Sequence, residues 1–170
     1  MPPDAAIVPT PIPPGARRRI QASTNLLHAW LAIAHPGALI KYEMRLGPTP
    51  LSTPGFPVTP ATEAMLRVAN MFADAVVIEP TQIMVIEAKV VGQPSAISQL
   101  RAYEMLVMNT PELRAHTGKQ LVAMHLWAVD NELAHQMATQ AGQAVTIYTP
   151  TWIEDYLQSK YWRRRPAPVA

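Results

Sequence analysis

Two β-rich runs set close together constrain this chain most: Met71 to Ile78 (MFADAVVI) and Ile83 to Val91 (IMVIEAKVV), with Glu79-Pro80-Thr81-Gln82 between them. Valine and isoleucine dominate the runs and turn formers separate them, so the pair reads as a β-hairpin. A loop of four residues pairs Ile78 with Ile83 and sets Asp74 opposite Glu87. Glu87 and Lys89 are two residues apart, so both leave the same face of their strand. Three charges therefore stand among apolar neighbours, in a chain where charged residues amount to only 15%. Burying ions there is costly unless they are paired or bound to a metal.

The elements around the hairpin follow from periodicity. Ile20, Leu27, Trp30, Leu31 and Ala34 recur at helical spacing, which predicts a helix over about 17–34, stopped by His35-Pro36-Gly37. Ala38 to Leu46 alternates as a strand, and Thr59-Pro60 opens a short helix through about 70. After Gly92, Ser95 is placed to cap a helix over about 95–108 carrying Ile97, Leu100 and Val107. Gln120 to Val129 is a buried strand, and Asp130 caps a helix to about 141, closed by Gly142. Ala144 to Thr149 makes a last strand before a helix opening at Pro150 and running through Leu157. This order predicts the α/β class. A mixed central β-sheet is flanked by helices, with a meander of three strands first and later strands added by helical crossovers.

Length and composition set the frame. A chain of 170 residues supports one domain of ordinary size. Of its 18 prolines, 12 precede residue 61, most of them in the clusters Pro2 to Pro14 and Pro48 to Pro60, which read as extended segments. The expected organisation is a proline-rich arm over 1–16, a single domain over 17–160 and a basic tail over 161–170. Charge is uneven along the chain. The first 60 residues carry five Lys and Arg against two acids, residues 160–170 four against none, and residues 61–159 five against ten. Arg17-Arg18-Arg19 and Arg163-Arg164-Arg165 could hold a phosphate backbone or an acidic protein partner, or be solvated charge beside packed helices. No apolar run approaches the roughly 20 residues that span a bilayer. No cysteine is present, which excludes thiolate zinc sites, iron–sulfur clusters and cysteine nucleophiles. Without a basic-then-apolar leader at its start, the chain is expected to be cytoplasmic.

The charged trio carries the chemistry. Two facing carboxylates repel, and a divalent cation turns that cost into a set of hard oxygen ligands: Asp74, Glu87 and the backbone carbonyl of Ala88. Lys89 is then a neighbouring cation that orients or activates a water, which is chemistry suited to phosphodiester hydrolysis. Gln99 and Tyr103, four apart on the following helix, share one face near the same strand end. They are placed either to orient water or phosphate, or to satisfy loop backbone. The five histidines form no metal-binding pair on one helical turn, and His125, in an apolar strand, reads as a satisfied core residue. The nine methionines and four tryptophans read as core or interface filling.

Asp74, then Glu87-Ala88-Lys89 on a hairpin, then Gln99 with Tyr103 on a helix resembles the PD-(D/E)XK nuclease superfamily, also called restriction-endonuclease-like. The resemblance spans about 20–150, with its specific part confined to 74–103. It implies an αβββαβ core, here with an extra C-terminal βα unit, and a divalent-metal-dependent nuclease hydrolysing DNA with Mg2+ or Mn2+. It further implies that Asp74 and Glu87 are metal ligands, Lys89 the catalytic lysine, and Gln99 and Tyr103 a supporting pair. Two positions depart from the pattern. Ala73 stands where proline is common, and the first helix offers Gln21, Asn25 and His28 where many members place an acid, leaving Glu43 or Glu63 to substitute. The alternative is a non-catalytic structural or nucleic-acid-binding protein of nuclease-like fold, such as a phage virion or mobile-element assembly component. Its proline-rich and arginine-rich ends would then contact a protein partner or further copies of the chain.

Overall fold

The computed structural model describes residues 14–48 and 71–162, with side chains over 21–48 and 71–159. The proline arm as far as residue 13, the second proline cluster beyond Pro48 with the helix expected through about 70, Glu63 and Arg163-Arg164-Arg165 lie outside these residues, whereas residues 14–16, expected in the arm, belong to the first helix. Helix α1 (Pro14–Ala34) leads into β1 (Leu39–Leu46), β2 (Met71–Ile78) and β3 (Gln82–Val91). Then come α2 (Pro94–Val107), a 3-10 turn over Pro111–His116, β4 (Gln120–Val129), α3 (Glu132–Gln140), β5 (Ala144–Ile147) and α4 (Trp152–Trp162). The five strands form one mixed sheet in the order β1-β2-β3-β4-β5. β1, β2 and β3 pair antiparallel, whereas β4 and β5 join in parallel. The α/β class and the α-β-β-β-α-β order are as the sequence predicts.

Each face of the sheet has its own core. Leu26, Leu27 and Leu31 of α1 pack with Ile153 of α4 against Ala75, Val77, Ile86 and Ala88. On the other face Leu100, Tyr103 and Val107 of α2 cover Val76, Ile78, Ile83 and Val85, while Ala134 and Ala138 of α3 close over Trp127. Two parallel crossovers that step across a sheet in the same direction with the same hand put their helices on the same side, as α2 and α3 are. Each fully buried leucine is worth about 1.5–3 kcal/mol relative to exposure, and Leu26, Leu31, Leu100 and Leu126 are all wholly buried.

Local chemistry moves some boundaries. α2 begins at Pro94, with Gln93 in the capping position and no side-chain cap, so Ser95 lies inside the helix. Proline lacks the N–H that a first-turn residue leaves unbonded, and its fixed φ suits that place. α3 is capped by Asn131, whose side chain accepts from the Ala134 N–H, and Asp130 turns to His135 at 3.0 Å instead. Gly92 ends β3 against the Trp127 ring. A Cβ there would stand 2.8 Å from a ring carbon, and that ring is completely buried. Gly92→Ala is therefore expected to cost about 1–3 kcal/mol through overpacking, read as a lower urea midpoint. An unchanged midpoint would show that the ring can shift.

Candidate metal and phosphate site

The site grows from an irregularity shared by β1 and β2. The β1–β2 register sets Glu43 opposite Asp74, yet the ladder omits this pair. Glu43 is the one non-glycine residue among those described with positive φ, at 46°. A left-handed residue within a strand reverses which face its successors point to. Ile40 accordingly packs on the α1 side and Met44 and Leu46 on the α2 side, and on β2 Ala75 packs on the α1 side and Ala73 on the α2 side.

The β2–β3 pairing follows the expected register, with Ile78 opposite Ile83, as far as Ala75 opposite Ile86. Beyond it the Asp74 side chain takes over the backbone's part: its Oδ2 accepts from the Ala88 N–H at 2.7 Å. Asp74 is half-buried, and burial raises its pKa, aided by the negative charge of Glu43 and opposed by the Ala88 N–H and by Lys89.

Glu87 is only 1% exposed. Its Oε1 accepts from the Lys89 ammonium, and its Oε2 makes no hydrogen bond within the protein. Burial first, then the charge of Asp74, push its pKa up to about 7, against the pull of Lys89. Lys89 itself is half-buried. It borders a cleft of about 510 Å³ together with Asp74 and Ala88, walled by Ser23, Thr24 and His28 of α1 and by Tyr42 and Glu43 of β1.

Of the predicted site residues, Asp74, Ala88 and Lys89 therefore meet at the cleft, and Glu87 lies behind Lys89. Gln99 and Tyr103 do not border the cleft. The Gln99 amide donates to the Tyr103 hydroxyl, which donates to the Phe72 carbonyl. Tyr103 is buried beside Glu87, whose charge, after burial, raises the pKa of the phenol. Glu43, one of the two substitute acids, borders the cleft, as does His28, whereas Gln21 and Asn25 do not. Ser23, Thr24 and Tyr42 carried no signal in the sequence, because their place depends on how α1 crosses the sheet.

The donor set suits a hard divalent cation. Two carboxylates, both held above their ordinary pKa, and a neighbouring backbone carbonyl are oxygen ligands, and positive charge between the acids would relieve the repulsion that raises Glu87. Among the described residues no three of His, Asp and Glu stand together as a ready-made ligand set, so such a cation would keep water in its remaining positions. No helix among the described residues is long and apolar enough to cross a membrane.

No family model matches the chain, and no curated protein matches it. Among solved structures, a crystal structure titled as a protein of unknown function, AF1548, is similar at 15% identity and a TM-score of 0.44, covering 81% of this chain and 66% of that one.

Proposed function

We propose that this chain is a divalent-metal-dependent nuclease of the restriction-endonuclease-like kind, hydrolysing DNA phosphodiester bonds. The observation that carries the reading is the frustrated pair Asp74–Glu87 with Lys89 bonded to it at the edge of a cleft. Asp74, Glu87 and the Ala88 carbonyl would hold Mg2+ or Mn2+, which when bound supplies a Lewis acid and lowers the pKa of water. Lys89 has two roles. It favours the carboxylate form of Glu87, and its position on the border of the cleft puts positive charge near where a phosphate or an attacking water would lie. Ser23 and His28 offer donors to phosphate oxygens on the opposite wall. In the reaction the water oxygen would bond to phosphorus and give up a proton to solvent, the ester P–O bond would break, and the leaving oxygen would take up a proton from solvent.

The absence of an acid from the α1 wall favours a second reading, a non-catalytic nucleic-acid-binding or assembly protein of the same fold. One experiment separates the two: supercoiled, linear and single-stranded DNA incubated with wild type and Asp74→Asn, with Mg2+, with Mn2+ and with chelator. Cleavage that needs metal and is lost in Asp74→Asn is the expected result. Asparagine keeps an acceptor for the Ala88 N–H, so the variant stays folded. No cleavage by folded wild type under any condition would shift the assignment to the assembly protein.

A further inference from the structure

The parallel register of β3 and β4 sets Glu87 beside His125 and Lys89 beside Trp127. In parallel strands such neighbours share a face, here the one covered by α2 and α3. Among the described residues three buried side-chain polar atoms have no hydrogen-bond partner in the protein: Glu87 Oε2, His125 Nδ1 and Trp127 Nε1. All three belong to this cluster. His125 and Trp127 are completely buried, with ring centroids 5.2 Å apart.

Their hydrogen-bonding roles can be assigned. The Gln143 amide nitrogen donates to the Ile97 carbonyl at 3.2 Å, so its Oε1 is the atom 2.9 Å from His125 Nε2. The opposite amide orientation would set two carbonyl oxygens against each other. His125 therefore carries its proton on Nε2, and complete burial keeps the ring neutral. That leaves Nδ1 an acceptor. Trp127 Nε1 can only donate, and Glu87, in the ionised form that its bond from Lys89 favours, can only accept. Two acceptors and one donor cannot satisfy one another directly. A single water that accepts from Trp127 and donates to His125 and Glu87 satisfies all three, with the three bonds usual for a buried water.

We propose that Glu87, His125 and Trp127 share one internal water, and that His125, anchored through Gln143, is a positioning residue fixing the rotation of the Glu87 carboxylate. With Oε2 tied to the water, Oε1 remains with Lys89. The water site stands on the register and the unpartnered atoms alone, and only its consequence for metal binding rests on the nuclease reading. Partners that orient a metal ligand from behind are typically worth about 10–100-fold in affinity.

The test uses the full chain, labelled with 15N. Trp127→Phe assigns the Trp127 indole N–H, which in wild type should show a direct NOE to a long-lived water that disappears in His125→Phe. Mn2+ affinity should fall about tenfold in His125→Phe and in Trp127→Phe. Two further variants divide the roles of the ring. His125→Asn keeps an acceptor near the Nδ1 position and loses the Gln143 bond, whereas His125→Gln does the reverse. The positioning role requires that Asn restore Mn2+ affinity and Gln not. A missing water NOE in folded wild type, or rescue by Gln as good as by Asn, overturns the proposal. Failure of wild type to bind Mn2+ would overturn the nuclease reading, and the NOE would still decide the water.

Discussion

Replacing Glu87 by Gln is expected to stabilise the protein by about 3 kcal/mol above pH 7, and to make it blind to Mn2+. The figure follows from a carboxyl with an ordinary pKa of 4.5 when unfolded and about 7 when folded. The side chain is 1% exposed, so solvent screening takes little from it. The folded state binds this proton more tightly. Its contribution is therefore fully present below pH 4.5, declines as pH rises through the window from 4.5 to 7, and is absent above it. Other groups titrate in the same range. His125, with its lowered pKa, adds stability as pH rises towards 6.5, and Asp74, with its raised pKa, loses it. Urea unfolding of both proteins from pH 4 to 8 isolates Glu87 in the difference curve. A flat difference would mean that the carboxylate is comfortable where it lies. In wild type, Mn2+ at 100 times its dissociation constant should return about 2.7 kcal/mol at pH 7.5, and in the variant nothing.

Lys89→Ala is expected to lower the rate of DNA cleavage by about 10²–10⁴-fold, and to displace what remains towards alkaline pH. On the nuclease reading proposed above, Lys89 would act on the reaction directly and, through Glu87, indirectly. Its charge and hydrogen bond both hold down the pKa of that carboxyl, so without them Glu87 keeps its proton to higher pH and the metal must compete for it. The fold should survive, because Glu87 escapes an unpaired buried charge by staying protonated. Rates measured from pH 6 to 9 at saturating metal decide the matter. A variant with the wild-type acidic limb, or with undiminished activity, would remove Lys89 from the proposed role.

The hairpin was legible because its two runs are unambiguous and its loop is short, and that fixed the register from Ile78–Ile83 to Ala75–Ile86. The place where Asp74 leaves the ladder was not. Pattern alone has no way to signal that a glutamate, rather than a glycine, adopts a left-handed conformation at 43. Asp74, Glu87 and Lys89 could be found because ions inside apolar strands are conspicuous. His125 looked like a satisfied core residue for a related reason: one histidine in an apolar run looks the same whether or not both nitrogens are bonded. Its position beside Glu87 depends on the stagger between two parallel strands joined through α2, and no short-range rule supplies that. The caps at Gln93 and Asn131 moved by two and one residues because Pro94 and Asn131 compete better for those positions than Ser95 and Asp130.

β1 stands at one end of the described sheet, and among the described residues no strand pairs with its side away from β2, the kind of edge that can template another strand. The turn of the backbone at Glu43 interrupts that invitation. Pairing groups before it and after it no longer lie on one straight edge, so an incoming strand in register with Leu39 to Tyr42 would lose its place at Met44. The kink that brings Glu43 and Asp74 to the cleft thus also guards the sheet against growing into its neighbours. A substitution that straightened it, such as valine at 43, would carry a liability for aggregation as well as for the site.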